Sequence, residues 1–276
     1  MSKKRGQQMP AGGSFFESAI PLILIVVLGL FIAARFGYLD LSGVPLIGSL
    51  VPSSSVDIAV IGNPSQVLVN ELRSRDATLA GIKYMGHLPQ EAVVGSALDK
   101  YDLIILQGEV YCDRTAREAI RNAVQGGTKL LVVGNACTRV HNDKTVYGWD
   151  FVLKDVIPVK LSNIQAHEPV GPESITVNGK LTIVSQDHQM FMGILNPRFS
   201  GTVTSVYPAA NADILALVSE YGSSPVGPSE FAIMESKGLL SGKTMYFAFD
   251  PGTMIAEGNG GRNMFIASLL YLNGKK

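Results

Sequence analysis

The chain has 276 residues, and its 23 basic and 23 acidic side chains cancel. Disordered chains combine low hydrophobicity with high net charge, whereas 46% of this chain is hydrophobic. A balanced charge also provides no basic field to neutralise phosphates. Composition therefore excludes a disordered chain and argues against a nucleic-acid binder, and the length allows one large domain or two small ones.

The most apolar segment lies near the amino terminus. Residues 18–34 carry no charge and are bracketed by Glu17 and Arg35. This run is close to the lower length limit of a membrane-spanning helix, and it extends to Leu39 if the Arg35 side chain reaches back to the interface. A buried core helix would alternate with polar positions, and a cleaved secretory signal would end at a small-residue site. We therefore predict a transmembrane helix at residues 18–39, with the lipid bilayer as its partner.

Basic residues flank this helix unequally. Lys3, Lys4 and Arg5 precede the uncharged run at 18–34, whereas Arg35 alone follows it closely, the next basic residue being Arg73. The positive-inside rule then keeps the amino terminus in the cytoplasm and places the remainder of the chain outside. The predicted division is a cytoplasmic tail at 1–17, the helix at 18–39, a linker rich in Gly, Pro and Ser at 40–55 and an extracytoplasmic domain at 56–276.

From Val56 the sequence alternates short apolar strands with helical stretches. Runs rich in Val, Ile and Leu are typical of a parallel sheet that is buried on both faces. Strand and helix alternating at this spacing imply right-handed crossovers. The predicted strands are 57–62, 78–84, 101–108 and 128–134, and the predicted helices are 66–73, 89–98 and a third between Asp113 and Gly126.

The third helix has the clearest pattern. Asp113 is a typical N-cap, and the Gly126-Gly127 pair ends the helix. Small and aliphatic residues fall on one face of the helix, and Arg117 falls on the opposite, polar face with Glu118 and Arg121. We therefore expect this helix to lie on a sheet with its arginines turned away from the core.

The pattern changes after Asp150. Asn178-Gly179 suits a type I′ turn, so residues 174–184 are predicted to form a hairpin. Further strands are predicted at 214–218, 231–235 and 244–249, and a closing helix at 261–272 with Met264, Phe265, Leu269 and Leu272 inward. The predicted fold class is a three-layer α/β domain with a mainly parallel, Rossmann- or flavodoxin-like sheet.

Ligands in parallel α/β domains collect beyond the carboxyl ends of the strands. Gly62-Asn63-Pro64-Ser65 is not a dinucleotide fingerprint, and the His and Cys spacings do not suit a metal. No cofactor or metal is therefore expected. The residues predicted to bind a ligand at these strand ends are Asn63, Gln107, Glu109, Asn135, Thr138, His141 and Trp149. Trp149 suits either stacking on a sugar ring or anchoring the core.

Several segments in the same order resemble one family. These are YDLIILQGE, a helix ending in Gly-Gly, KLLVVGNACT, SQDHQMFMGI with Asp187, His188 and Gly193, and GLLSGKTMYFAFDPG. Together they resemble the class I glutamine amidotransferase-like superfamily, in its trehalose-utilisation (ThuA-like) branch. The resemblance covers about residues 56–273, and it implies the α/β fold predicted above.

The resemblance leaves catalysis open. Amidotransferases of this superfamily carry a nucleophilic Cys at a sharp strand-to-helix turn, because a thiol must be partly thiolate to attack. The alignment puts Asn135 at that turn, and an amide is not a nucleophile. With the register shifted by two residues, Cys137 becomes the nucleophile, with His141 or His188 as its base and Glu109 as a further member of the site.

Structural roles compete with each catalytic one. Cys137 also suits a buried position or a disulfide with Cys112, since an outer compartment permits oxidation. His188 beside Asp187 suits a hydrogen-bonded structural position as well as a base. We therefore expect a non-catalytic, membrane-anchored component of an envelope assembly that binds a ligand or a partner protein. The alternative is a Cys-dependent hydrolase or amidotransferase-like enzyme acting on a carbohydrate or amide.

Overall fold

The computed structural model describes residues 55–108, 110–140, 143–161, 174–195, 197–220, 230–236, 243–258 and 260–274, together with Pro21, Ile25, Val26 and Gly29. The chain divides into two units, Met1–Ser54 and Ser55–Lys276. The predicted tail, the linker up to residue 54 and most of the predicted membrane helix lie outside the described residues, although the four positions named above are helical. In the portion described, no helix is both long and apolar enough to cross a membrane.

The second unit is a mixed α/β domain. Its strands are β1 (Val56–Gly62), β2 (Ile82–Leu88), β3 (Leu103–Gln107), β4 (Lys129–Val133), β5 (Arg139–Val140), β6 (Asp143–Tyr147), β7 (Val159–Leu161), β8 (Ser174–Ile183), β9 (Arg198–Thr204), β10 (Val206–Pro208), β11 (Ala212–Glu220), β12 (Glu230–Ser236) and β13 (Thr244–Phe247). Its helices are α1 (Gln66–Leu72), α2 (Arg75–Leu79), α3 (Arg114–Gln125), α4 (Pro251–Glu257) and α5 (Gly261–Leu272), with short 3₁₀ turns at Gln90–Ala92 and Gln189–Phe191.

Nine strands of the described part of the chain form the main sheet, in the order β2-β1-β3-β4-β13-β12-β11-β8-β9. The strands from β2 to β13 in this order run parallel, as predicted from the alternating pattern. The other four are antiparallel to their neighbours. The predicted Rossmann-like domain is therefore extended by an antiparallel half, and the sheet is mixed rather than mainly parallel throughout.

The burial of the parallel strands and their helices explains why their sequence patterns could be recognised. Every residue of β3 is buried, as are four of the five residues of β4, because helices cover these strands. Asp113 caps α3 by accepting a hydrogen bond from the Ala116 N–H at 2.8 Å, as predicted. The four residues predicted to face inward on α5 are all fully buried. Local patterns predicted these elements because the central strands are buried on both faces and each of these helices buries one face.

The predicted hairpin at residues 174–184 is wrong. Asn178 and Gly179 lie inside one continuous strand, β8, which pairs with β9 on one side and β11 on the other. Gly179 does not have positive φ. A Cβ at this position would overlap the Ser219 carbonyl group, so the glycine is needed for close approach of two strands rather than for a turn.

Two further predictions near the start of the domain are wrong. The predicted strand at 78–84 begins instead at Ile82, because Thr78 and Leu79 belong to α2, which Ser74 caps. The predicted helix at 89–98 is a single 3₁₀ turn at Gln90–Ala92. Gly95 has a φ of +52°, a backbone conformation that cannot continue a right-handed helix.

Candidate ligand-binding site

The carboxyl ends of the parallel strands place several predicted residues together. Asn63 follows β1, and its backbone N–H donates to the Gln107 carbonyl at the end of β3 at 2.8 Å. Gly108 has a φ of +83°, and a Cβ there would overlap the Asn63 carbonyl group. The loops after β1 and β3 are therefore in direct contact, as expected for the point where strand order reverses.

Gln107 forms a buried bond across this edge of the sheet. Its Nε2 donates to Asp250 Oδ1 at 2.7 Å, and the same oxygen accepts from the Gly252 N–H at 2.8 Å. Gln107 is 3% exposed, and its Oε1 has no hydrogen-bond partner among the described residues. Asp250 was missed from the sequence, although an Asp before Pro-Gly at the end of a predicted strand is a recognisable helix N-cap.

Cys112 and Cys137 are joined by a disulfide, with their Cα atoms 4.9 Å apart. Both residues are almost fully buried. Cys112 belongs to the segment after β3, and Cys137 to the turn after β4. The bond therefore fastens two neighbouring loops at the carboxyl edge of the sheet, and it leaves no thiol at Cys137.

The turn after β4 differs from a nucleophile elbow. Positive φ occurs at Gly134 (+60°) and Cys137 (+58°), and not at Asn135. The Thr138 hydroxyl donates to the Asn135 carbonyl at 2.8 Å, which closes the turn. Strand β5 follows rather than a helix. The turn therefore lacks the helix amino terminus that activates a thiolate in a strand-to-helix elbow.

Arg117 is fully buried beneath this turn, although its place on the polar face of α3 suggested otherwise. Its guanidinium donates to the carbonyls of Cys112 (3.0 Å), Cys137 (2.7 Å), Gly148 (2.9 Å) and Phe151 (3.1 Å). Burial lowers the pKa of Arg117 to about 10, so the side chain remains charged at neutral pH. The helical pattern predicted an exposed Arg117 because arginine is normally polar surface. Backbone carbonyls that accept from all of its nitrogens allow it to be buried here.

Trp149 serves as a core anchor. It is 2% exposed, its indole N–H donates to the Ala136 carbonyl at 2.9 Å, and its ring meets the Tyr246 ring edge-on. This is the core role that the sequence offered as the alternative to sugar stacking. The indole thus presents no face to a ligand and instead supports the turn after β4 from below.

A small cavity of about 40 Å³ opens beside the disulfide. Val110, Tyr111, Asn135, Thr138 and Arg139 line it. Two of the residues predicted to bind a ligand, Asn135 and Thr138, are thus brought to one cavity. Arg139 and Tyr111 were not predicted, and no motif in the sequence marks either of them.

His188 lies in a different region of the domain. Its Nε2 is 3.4 Å from Glu235 Oε1, and its ring packs edge-on against Tyr271. Glu235 pairs with Met245 near the beginning of β13, whereas Cys137 follows the carboxyl end of β4, which is parallel to β13. The structure therefore places His188 towards the opposite edge of the sheet from Cys137.

The remaining predicted residues, Glu109 and His141, lie outside the described residues. Among the residues that are described, no group of three or more His, Cys, Asp or Glu side chains could hold a metal ion. Among the described residues, the carboxyl edge thus carries a disulfide, two arginines, the Asp250 carboxylate and several amide and hydroxyl groups.

Solved structures identify the fold. Two cytoplasmic proteins from Salmonella typhimurium match with a TM-score of 0.55 each, at 15% and 16% identity; the match covers 78% and 80% of this chain and 98% and 100% of theirs. A ThuA-like protein from Parabacteroides merdae matches with a TM-score of 0.52 and 13% identity, over 80% of this chain and 91% of that one. No family model and no curated protein matches the chain.

The domain thus has the ThuA-like fold that the sequence motifs predicted. At these identities the likeness defines the fold alone, and function must be argued from the site.

Proposed function

We propose that this chain is a non-catalytic binding protein, anchored in the membrane by residues 18–39, whose ThuA-like domain binds a ligand or a partner protein outside the cytoplasm as a component of an envelope assembly. The anchor and its orientation are supported by the uncharged run at 18–34 and by the basic residues before it. The binding role is supported by the carboxyl edge of the sheet, where ligands of α/β domains collect.

The Cys112–Cys137 disulfide is the observation that carries this proposal. Disulfides persist in oxidising compartments and are rare in the cytosol, which supports an extracytoplasmic domain. The same bond removes the Cys137 thiol, which the sequence placed at the predicted catalytic turn. A sulfur in a buried disulfide cannot act as a nucleophile, which supports binding rather than catalysis.

The anchor and the orientation are tested on the full-length chain expressed with its amino terminus intact. We expect the chain to stay in the membrane pellet after carbonate extraction, and a control chain that begins at residue 41 to be released. In intact cells, the domain should be degraded by protease added outside once any outer barrier is permeabilised. Extraction of the full-length chain by carbonate would refute the anchor, and protection of the domain would refute its orientation.

Non-catalytic binding is tested by the redox state of the protein. Iodoacetamide should fail to label Cys137 in the protein as isolated, and should label it only after reduction. Hydrolysis of amide and glycoside substrates should stay at background in both states. Rapid labelling without reductant would contradict the disulfide, and turnover would contradict the non-catalytic role.

A second function has one observation in its favour. Cys137 has a φ of +58°, an uncommon conformation for a non-glycine residue that is found at catalytic turns. A Cys-dependent hydrolase or amidotransferase-like enzyme would then be active only after reduction of the disulfide. Activity that appears with dithiothreitol and is lost in Cys137→Ser, but retained in Cys112→Ser, would establish this alternative.

A further inference from the structure

The cavity beside the disulfide is built by the residues that flank each half-cystine. One wall consists of Val110 and Tyr111, immediately before Cys112, and the other of Asn135, Thr138 and Arg139, around Cys137. The Cys112 N–H donates to the Arg139 carbonyl at 3.0 Å, and the Cys137 N–H donates to the Val110 carbonyl at 3.1 Å. The disulfide and these two hydrogen bonds therefore hold the walls at a fixed separation.

Two guanidinium groups give this place a positive charge. Arg139 is exposed at the cavity, with its Cζ 5.9 Å from the centre of the Tyr147 ring. Arg117 lies beneath the turn, and all four of its hydrogen bonds end on carbonyl oxygens. Neither arginine forms an ion pair with a carboxylate in the described part of the chain. With no carboxylate paired to either arginine among the described residues, the positive potential favours an anion at this position.

The cavity also offers neutral donors and a limited volume. Asn135 is partly exposed, and its side-chain amide has no hydrogen-bond partner among the described residues. A volume of about 40 Å³ exceeds that needed for one water molecule but suits only a small group. The planar fork of an arginine matches a planar carboxylate, and the pair forms short, charge-assisted hydrogen bonds.

We propose that this cavity binds the carboxylate group of a small-molecule ligand. Arg139 supplies the charge and the hydrogen-bonding fork, the Asn135 amide donates beside it, and the Tyr111 ring forms the wall along which the rest of the ligand lies. Arg117 adds to the potential from below without touching the ligand. The inference rests on the proposed binding function and names the chemistry of its ligand.

The chain carries its own reporter for this site. Trp149 is the only tryptophan, and it bonds to Ala136 in the turn that forms one wall of the cavity. Acetate is the probe, titrated into the full-length chain in mild detergent at constant ionic strength, with sodium chloride and inorganic phosphate as separate comparison titrations. We expect a saturable change in Trp149 fluorescence with acetate, and none with chloride.

Three variants assign the response to one side chain. Arg139→Gln should weaken acetate binding by about tenfold or more, since it removes a charge-assisted hydrogen bond. Arg139→Lys should restore part of the affinity, because it keeps the charge without the fork. The matched control is Arg73→Gln, which removes an arginine that also lies over a tyrosine ring, Tyr84, at 5.2 Å. This control should bind acetate like the wild type.

Each outcome decides the proposal. Wild-type affinity in folded Arg139→Gln would overturn the site, as would the absence of any saturable acetate response in the wild type. Saturable phosphate binding without acetate binding would overturn the carboxylate assignment. Loss of the site would leave carbonate extraction and iodoacetamide labelling unchanged, so its failure is distinguishable from failure of the proposed function.

Discussion

The two edges of the parallel sheet are built on different chemistry. The carboxyl edge, after β3 and β4, is held by a disulfide and by Arg117 bonded to backbone carbonyls. The amino edge brings ionisable side chains together: His188 lies 3.4 Å from Glu235, and Lys243 Nζ lies 4.1 Å from the centre of the Tyr271 ring. The carboxyl edge is therefore cross-linked by a covalent bond, whereas the amino edge depends on contacts between polar and ionisable side chains.

The largest effect is expected from Arg117→Met. The substitution roughly keeps the volume of the side chain but removes the Arg117 donor from three buried carbonyls and one partly buried carbonyl. Loss of the desolvated charge offsets part of the cost. We expect the free energy of unfolding to fall by about 3–4 kcal/mol, measured by urea denaturation. Arg114→Met is the matched control, because Arg114 is on the same helix but exposed and paired only with Glu118. Equal effects of both substitutions would contradict the view that Arg117 holds this edge together.

Removal of the disulfide should have the next largest effect. Cys112 and Cys137 are 25 residues apart in the sequence, and the loop-closure model predicts a loss of about 3 kcal/mol for a loop of this size. We expect Cys112→Ala with Cys137→Ala to show this loss in urea denaturation, and to weaken acetate binding because the cavity walls separate.

Dithiothreitol should destabilise the wild type by a similar amount and leave the double variant unchanged. An equal response of both proteins to reductant would show that the covalent bond does not stabilise this edge.

The contrast between the edges also shows what the sequence could predict. The parallel strands and α3 follow from local periodicity and caps, and the ThuA-like fold follows from the order of several weak motifs. Asn63 and Gln107 could be placed at one edge because carboxyl ends of parallel strands converge. The burial of Arg117 could not be predicted, because its partners are backbone carbonyls of residues 112, 137, 148 and 151, which only the fold brings together.

Long-range pairing limited the remaining predictions. Asn178-Gly179 has the local signature of a turn, but the contact that requires the glycine is with Ser219 in a strand distant in the sequence. Asp250 meets Gln107 across 143 residues. His188 could be recognised as a structural or catalytic group, but only the register of β12 and β13 shows that it lies near Glu235 and towards the amino edge.

Glu235→Gln tests the amino edge directly. Its carboxylate is 14% exposed and lies beside His188, and it also accepts a hydrogen bond from the Tyr271 side chain. We expect a loss of about 1–2 kcal/mol in the free energy of unfolding, because the charge-assisted hydrogen bond from Tyr271 becomes a neutral one and the contact with His188 loses its carboxylate. Acetate binding at the opposite edge should not change.

Glu118→Gln is the control for that substitution. Glu118 pairs with Arg114 on the surface of α3 at 2.8 Å, and an exposed pair of this kind contributes about 0.5 kcal/mol or less. A loss in Glu235→Gln no greater than in this control would mean that the amino-edge cluster does not stabilise the fold.

The smallest effect concerns pH. Burial, followed by the negative charge of Glu235 and the hydrogen bond to it, raises the pKa of Tyr271 to about 12 from its ordinary value of 10. The folded state then holds this proton more tightly than the unfolded state. The resulting stabilisation is complete below pH 10 and is lost as the pH rises from about 10 to about 12. Because Tyr271 is only partly buried, solvent screening keeps the effect small.

Tyr271→Phe should therefore lose less unfolding free energy than the wild type between pH 9 and pH 11.5. Urea denaturation of both proteins at each pH measures this difference. The disulfide variant is the control, because a disulfide has no proton to lose. The Cys112→Ala, Cys137→Ala protein should lose as much unfolding free energy as the wild type over the same pH range. If Tyr271→Phe loses as much stability as the wild type over this pH range, other tyrosines cause the pH dependence. The proposed difference between the two edges would then be wrong.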